Sequence, residues 1–369
     1  MSRTHRRPRR SIPTPRAGAL TLALAALAMF PAPVAAQDYA SRERDASPQI
    51  QELLTSLRGD IQRQRLGYTV GYTEALDHPL DRITGLRLPR NINDIAARQA
   101  RLAMELSNLK DRFAVSTRCP VVEKPRNISG LANFSWESYQ KVPPMRNQGF
   151  CGSCWAFAGL GAVESANLIV NERPLDLSEE HEVSTCNTAA GNCRGGFYHE
   201  VFNQYLTTGG VDERVMPYTA SNSRCPNLSD RPRRILNWGW AGSTSSSPTI
   251  REIKLAIERY GPVVVAVRAT LAFQAYASGV FEENDTGPYN HAVMIVGWSD
   301  QHGAWRIQNS WGDLWGENGY MWIDYDTNRI GEWAAWVDVL RTCYVLREDY
   351  ERLAAAAVAR HIERDMNSY

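Results

Sequence analysis

The sequence predicts an α+β protein in which a helical half precedes a strand-rich half. Residues 154–170 are apolar on most faces, and residues 177–180 open a second, short helix with a capping pattern. Short β-rich segments separated by Gly, Asn and Asp follow at 263–267, 292–296, 304–307 and 320–323. With 369 residues, 43% of them hydrophobic, the chain can bury two cores. We expect these cores in 131–240 and 241–343.

The N-terminus has the order of a secretory signal peptide. Several arginines precede an apolar run at 17–30, and the small residues Val34, Ala35 and Ala36 follow it. The run is too short for a comfortable transmembrane helix. We expect residues 1–36 to be removed by cleavage near Ala36, against the alternative of a retained anchor, and a twin-arginine signal stays open. The predicted location is therefore secreted or periplasmic.

Two further segments flank the predicted cores. Residues 37–66 are polar and helix-prone, whereas 67–89 contain several glycines and prolines and are predicted to be irregular or extended. Apolar positions at spacings of three and four then predict an amphipathic helix from Ile92 to Phe113, with Asp94 as a possible cap. Residues 344–369 are predicted to form a terminal amphipathic helix.

Charge and composition exclude some functions. The net charge is +1, so no overall field favours nucleic acid or an anionic membrane. No stable membrane span is expected. No metal-ligand spacing is found, so no metal or other cofactor is expected, and His181 and His199 are predicted to be surface residues.

Three separated residues suggest nucleophilic chemistry. Cys154 stands where the long helical run begins, and a helix N-terminus together with an imidazolium favours the thiolate. His291 lies 137 residues downstream beside a predicted strand, and Asn309 follows another strand next to Trp311. Such an amide can fix the tautomer and orientation of a histidine base. Taken singly, each has a plainer interpretation: a structural cysteine, a structural histidine and a turn residue.

These residues lie in segments that resemble the papain-like cysteine peptidases of the cathepsin type. The segments are Cys151-Gly-Ser-Cys-Trp155, Asn290-His-Ala292, Asn309-Ser-Trp-Gly312 and Trp315-Gly-Glu-Asn-Gly-Tyr320, in the family's order. The resemblance covers about 131–343. It implies a papain-like two-domain fold, with a helical left domain, a β-barrel-like right domain and the active-site cleft between them.

The resemblance also implies a role for each catalytic residue. Cys154 would be the nucleophile, His291 the general base and later acid, and Asn309 the residue that orients His291. Gln148 would donate a hydrogen bond to the developing oxyanion, beside the backbone N–H of Cys154. Trp311 would cover the contact between Asn309 and His291.

Further family positions imply a substrate cleft. Gly195 and Gly196 resemble the strip along which substrate backbone lies, although an ordinary turn is the plainer interpretation. Five residues are candidates for an apolar pocket that binds the second residue before the scissile bond: Phe197, Tyr198, Ala266, Tyr289 and Asn290. Any aromatic residue among them could instead belong to the core.

The seven cysteines are odd in number, so at least one is unpaired or pairs between chains. The family resemblance implies Cys151–Cys193 and Cys186–Cys225 bridges. With Cys154 as the free thiol, a third bridge between Cys119 and Cys343 is arithmetically natural, although the family pattern does not imply it.

The resemblance finally implies a zymogen. Residues 37–130 occupy the place of a family propeptide that inhibits the enzyme within the same chain, against the alternative of a permanent accessory domain. The short span 197–225 holds no histidine-paired occluding loop, which favours an endopeptidase acting on peptides and proteins as a monomer. Two other functions stay open: a catalytically silent papain-fold binding or inhibitory protein, and a peptide ligase using the same acyl-enzyme.

Overall fold

A computed structural model describes residues 39–116, 125–242, 247–342, 344–346 and 348–366. The expected signal peptide, 1–36, lies outside the described residues. So do Cys119 and Cys343, and their expected bridge stays a prediction. Within the described part of the chain, no helix is long and apolar enough to cross a membrane.

Ten α-helices occur in the described residues. Two further 3-10 turns lie at Glu74–Asp77 and Ile128–Gly130. In chain order the helices are α1 (Tyr39–Arg44), α2 (Pro48–Gln64), α3 (Leu80–Ile83), α4 (Ile92–Phe113), α5 (Cys154–Asn171), α6 (Glu179–Val183), α7 (Tyr198–Thr207), α8 (Ile250–Tyr260), α9 (Leu271–Gln274) and α10 (Glu348–Met366).

Thirteen strands accompany them in the same residues. They are β1 (Tyr68–Val70), β2 (Ala114–Ser116), β3 (Asn133–Ser135), β4 (Gly191–Asn192), β5 (Gly195–Gly196), β6 (Asn237–Trp240), β7 (Val263–Val267), β8 (Tyr276–Phe281), β9 (His291–Ser299), β10 (Ala304–Gln308), β11 (Tyr320–Asp324), β12 (Glu332–Asp338) and β13 (Tyr344–Leu346).

Nine of these strands form one mixed sheet. Its order is β1-β8-β11-β10-β9-β7-β12-β6, and β3 pairs with β9 beside this path. Only the β8–β11 pair is parallel among the described neighbours. Central strands β7 and β9 are buried at every residue, which agrees with their continuous apolar sequence.

Helix α5 packs against this sheet. Most of its residues are buried, because its sequence is apolar on nearly all faces. It contacts β9 on the sheet side and α7 and α6 on the other. The start of α5 is thereby held beside the first residue of β9, which places Cys154 near His291.

The prediction of an α+β protein is confirmed. The helical and strand-rich parts nevertheless interleave along the chain: β3 and β6 come from 131–240 but join the large sheet, and α8 lies within 241–343. Long-range strand pairing brings these short segments into the sheet, and local periodicity carries no signal for it.

The N-terminal part of the described chain is built onto the sheet. Strand β1 extends it at β8, and α2 packs on β1 with Leu54 fully buried. The amphipathic helix predicted from Ile92 has the observed bounds of α4, but Asp94 lies inside its first turn rather than ahead of it. The segment predicted to be irregular or extended also contains the short helix α3.

Two histidines were wrongly predicted to lie at the surface. His181 is fully buried, where its Nδ1 lies 2.9 Å from Glu182 Oε1 and the Gln204 amide approaches the same ring. His199 is also buried, and its Nε2 lies 3.0 Å from Glu200 Oε1. Hydrogen bonds from neighbouring polar side chains offset the cost of burying each imidazole.

Candidate active site

The thiol of Cys154 lies at the N-terminus of α5. It is completely buried and is the free cysteine among the described residues. Ser153 precedes the helix as its N-cap residue, and the structure contains the Cys151–Cys193 disulfide, one of the two pairs that the resemblance implies. This bridge ties the loop before Cys154 to the segment with Gly195 and Gly196, which we call the glycine strip. The other implied pair, Cys186–Cys225, is also present.

The imidazole of His291 and the amide of Asn309 form a direct pair. His291 begins β9 and Asn309 follows β10, its antiparallel neighbour, so the two side chains meet at one sheet end. The distance between His291 Nε2 and Asn309 Oδ1 is 2.7 Å. Because the amide oxygen only accepts, Nε2 carries the proton and Nδ1 keeps its lone pair. Trp311 lies over the pair, with its ring centroid 4.6 Å from that of His291.

Backbone groups connect the thiol to this pair. The backbone N–H groups of Ala292, the residue after His291, and of Gly85 act on the Cys154 sulfur and lower the pKa of its thiol. Among the described residues, no group forms a hydrogen bond with the buried Nδ1 of His291. A buried lone pair on the residue next to a backbone group that acts on the thiol is suited to take the thiol proton.

Burial holds both groups in their neutral forms. Loss of solvent raises the pKa of Cys154 to about 11, although the backbone N–H groups pull it down. It lowers the pKa of His291 to about 4, against the effect of the Asn309 hydrogen bond. A thiol and an uncharged imidazole are therefore the stable pair in this state.

The side chain of Gln148 is buried beside the thiol. Its Nε2 donates to the carbonyl oxygens of Cys151, at 2.7 Å, and of Ile83, at 3.0 Å. Its Oε1 accepts from the hydroxyl of Ser310 at 2.7 Å, which fixes the direction of the amide. The hydroxyl of Tyr218 donates to the backbone carbonyl of Gln148.

Residues 83–87, which we call the strap, cross this site. Leu86 N donates to Asn290 O at 2.8 Å, Arg87 N to Gly196 O at 2.9 Å, and Gly196 N to the carbonyl oxygen of Gly85 at 2.9 Å. Leu86 thus pairs with Gly196 in the parallel direction. Both the glycine strip and the residue before His291 are occupied by backbone of the same chain.

Leu86 and most of the candidate pocket residues belong to one apolar cluster. The cluster contains Phe197, Tyr198 and Ala266, with Tyr289 at its margin. Phe197 stacks on Tyr198 at 4.3 Å between ring centroids. Tyr198 is fully buried and its hydroxyl donates to a backbone carbonyl, so it acts as core beneath the pocket.

Three contributors to the site, Ser310, Ile83 and Trp333, were not predicted. Ser310 orients Gln148, the ring nitrogen of Trp311 donates to Ile83 O at 3.3 Å, and Trp333 belongs to the Leu86 cluster. Trp333 also donates to the hydroxyl of Tyr289 at 3.2 Å. Ser310 adjoins Asn309 and could have been considered from its position, whereas Trp333 lies in a segment without a recognisable motif.

The fold and the site define a class of protein that has a cysteine at a helix N-terminus and a histidine–asparagine pair at one end of a sheet. The family model described as papain family cysteine protease matches residues 131–337. The chain therefore belongs to the papain family of cysteine proteases, and the predicted papain-like fold is confirmed.

Relatives of known name agree with this membership. The chain is 35% identical over 221 residues to the viral cathepsin of Mamestra configurata nucleopolyhedrovirus, a match covering 57% of this chain and 62% of that protein. It is 35% identical over 222 residues to cathepsin J of Rattus norvegicus, covering 57% and 65%. The chain thus spans a little over three fifths of the length of these relatives.

A solved structure matches more of the chain. A digestive procathepsin L2 proteinase from the larval midgut of Tenebrio molitor superimposes with a TM-score of 0.64 at 26% identity. The match covers 81% of this chain and 93% of that chain. It therefore extends beyond 131–337, the residues that match the family model.

Proposed function

We propose that this protein is an extracytoplasmic cysteine endopeptidase made as an inhibited precursor. One observation carries the proposal: a free buried thiol at a helix N-terminus lies beside the backbone of Ala292, the residue after a histidine whose Nε2 is held by an asparagine. This arrangement supplies a nucleophile, a base and an orienting group. The strap that crosses it supplies the inhibition.

The reaction would proceed through a thioester. The Cys154 thiol gives its proton to His291 Nδ1, and the thiolate attacks the scissile carbonyl carbon. Gln148 Nε2 and the Cys154 backbone N–H donate to the oxyanion that develops. The imidazolium then protonates the leaving amine as the C–N bond breaks. A water, deprotonated by His291, attacks the thioester, releases the acid product and restores the thiol.

The contacts of the strap with groups of the proposed active site support inhibition. The carbonyl oxygen of Ile83 accepts from Gln148 Nε2, the group expected to bind the substrate oxyanion. The backbone N–H of Gly85 acts on the sulfur of Cys154, and the carbonyl oxygen of Gly85 accepts from Gly196 N. The strap therefore uses the same donors as a substrate, and the two cannot bind together.

Electrostatics supports the same proposal. In the strapped state burial raises the pKa of Cys154 and lowers that of His291, so the reactive thiolate–imidazolium pair is disfavoured. Removing the strap admits water to both groups. Activation would then change the protonation state of the site as well as its accessibility.

Substrate class follows from the strap and the pocket. Main-chain hydrogen bonds to Gly196 and Asn290 suit an extended peptide, and the surroundings of Leu86 suit an apolar side chain. The two disulfides suit an oxidising compartment outside the cytoplasm. Peptides and proteins with a bulky apolar residue two positions before the cleaved bond are the proposed substrates, and the enzyme is proposed to act as a monomer.

A paired labelling and product experiment tests this function. The processed protein and its Cys154→Ala variant are incubated with a papain-class epoxide probe and separately with a peptide library. We expect label on Cys154 and hydrolysis that the variant lacks. Absence of label after processing would indicate a silent binding protein, and products formed by aminolysis would indicate a ligase.

A further inference from the structure

We propose that helix α4 stays in the mature enzyme, held between edge strand β6 and the C-terminal segment β13–α10, and that activation cuts the chain between the strap and α4. This rests on the proposed function, since it concerns how the inhibited precursor opens. The expected inhibitory region, 37–130, then divides into a part that leaves and a part that stays.

The first surface that holds α4 is the edge of the large sheet. Strand β6 ends the sheet order in the described residues, and α4 packs along it. Gln99, which is fully buried, donates from Nε2 to the edge carbonyl of Trp238 at 2.8 Å. In return Asn237 donates from its amide to the backbone carbonyl of Ala103 at 2.8 Å. Removing α4 would break both hydrogen bonds and expose the backbone edge of β6, which the helix covers.

The second surface is the C-terminal segment. Strand β13 pairs antiparallel with β2, which directly follows α4, and α10 lies along the helix itself. Ion pairs tie α4 on both sides, Arg360 to Glu105 at 2.6 Å and Lys110 to Asp338 at 2.6 Å. A separate apolar cluster fills the space between α4 and α10, with these buried members: Leu102, Leu106, Leu109 and Ala357.

The segment between the strap and α4 is an accessible loop and not a packed element. Arg87 and Arg90 are exposed, and residues 90–91 form a turn before the helix begins at Ile92. Hydrolysis of one peptide bond in 87–91 consumes one water and leaves a new carboxylate and a new amino terminus. Accessible loop backbone of this kind is where proteases cut folded proteins.

The position of the cut decides whether the cleft opens. A cut after β2 leaves the strap covalently joined to α4, and α4 is fixed on two faces. The strap would then remain beside the cleft at a high effective concentration and would rebind. Only a cut before α4 lets the strap leave, so the mature enzyme retains α4 together with α10.

The first test is the composition of the activated enzyme. Active protein, identified by epoxide label on Cys154, is purified by gel filtration and analysed by native mass spectrometry and N-terminal sequencing. We expect an amino terminus within 88–91 and peptides from 92–113 in the labelled species. A labelled species that begins after residue 116 and lacks α4 would overturn the proposal.

The second test works without activity. The Cys154→Ala precursor is nicked in 87–91 and 117–124 by an added protease, with Cys119 and Cys343 changed to serine so that no bridge can hold the fragment. We expect the α4 fragment to co-elute with the main body. Ala357→Glu, which places a charge in the α4–α10 cluster, should release it, whereas Ala355→Glu on the exposed side of α10 should not.

The outcomes distinguish a failure of the α4 proposal from a failure of the proposed function. Loss of the α4 fragment from the nicked parent protein contradicts the retention of α4 and leaves the peptidase proposal intact. Equal retention in Ala357→Glu and Ala355→Glu contradicts the role of α10. A processed chain without label on Cys154 contradicts the proposed function, while the retention experiment still reports on α4.

Discussion

The side-chain amide of Gln148 donates a 3.0 Å hydrogen bond to the carbonyl oxygen of Ile83. A backbone carbonyl of the N-terminal segment therefore occupies the donor that the proposed mechanism gives to the substrate oxyanion. The same residue is fixed by Ser310, so the donor has its direction before any substrate binds. Preorganised donors of this kind stabilise a transition state without reorganisation. In the proposed mechanism, inhibition and catalysis therefore share one group.

Gly85 is predicted to be essential for a closed strap. A Cβ at this position would overlap the backbone carbonyl of Gly152, so no larger residue fits without moving the strap. We expect Gly85→Ala to label at Cys154 with an epoxide probe faster than the wild-type precursor does. Gly130→Ala is the matched control, since a Cβ there meets nothing within 4 Å. Equal labelling of both variants would contradict strap inhibition.

Asn309 is predicted to act by holding His291. Asn309→Ala removes the 2.7 Å hydrogen bond to Nε2 and lets the ring rotate away from the thiol. Misplacing a catalytic group by about 1 Å can cost about 100-fold in rate, and we expect a fall in kcat of that order with little change in KM. Steady-state kinetics of the processed enzyme measures both constants. Asn227→Ala, an exposed position, should leave them unchanged.

The strap is predicted to loosen in acid from its position across the active site, which we call the docked state. Burial lowers the pKa of His291 to about 4 from the ordinary 6.5, so the docked state holds fewer protons on this residue than the undocked state. Docking is then favoured above pH 6.5 and weakened as the pH falls toward 4. Hydrogen exchange at the amides of Leu86 and Arg87, corrected for intrinsic rates, should accelerate over this range. His291→Gln should remove the acceleration.

Arg146 is predicted to stabilise the helical part of the fold. Its guanidinium bonds Glu164 at 2.9 Å and Glu179 at 2.7 Å, and both carboxylates are buried. Leaving a buried charge unpaired costs about 3–5 kcal/mol, so we expect Arg146→Met to lower the free energy of unfolding by that amount at pH 8. Chemical denaturation measures the loss. Arg214→Met, whose partner Asp212 is also bound by Arg233, should change little.

The Arg146 effect should also depend on pH in a defined direction. Burial raises the pKa of Glu164 and of Glu179, and Arg146 opposes that rise. Without Arg146, the pKa values of both carboxyls rise further, so both are protonated at a higher pH. A protonated carboxyl is neutral, so burying it without a cation beside it costs less. The destabilisation should therefore be smaller at pH 5 than at pH 8. An equal loss at both pH values would contradict this assignment.

Apolar patterns located the regular elements that depend on local sequence. The amphipathic pattern from Ile92 predicted α4 with its observed bounds, and the apolar run from Cys154 predicted α5. Strand β7 was also predicted with its observed bounds. In α4 the apolar residues repeat at the helical spacing, whereas α5 and β7 are continuous apolar runs whose lengths favour a buried helix and a buried strand. In each case a short window of sequence contains the signal.

Long-range contacts escaped prediction for a physical reason. An amphipathic pattern predicts that α4 and α10 each bury one face, but it does not identify the partner, and here they pack on each other. The motifs at 151–155, 290–292 and 309–312 led to Cys154, His291 and Asn309, which the structure brings together in the candidate active site. Ile83 carries no motif, because it meets Gln148 through its backbone carbonyl, a group that every residue has.

Labelling of Cys154 before and after processing tests the central claim most directly. The intact chain and the chain cut between the strap and α4 are treated with the same epoxide probe, and the label is located by mass spectrometry. An inhibited cysteine peptidase predicts stoichiometric label on Cys154 in the cut chain and almost none in the intact chain. Equal labelling of the intact chain, or no labelling of the cut chain, would contradict the account.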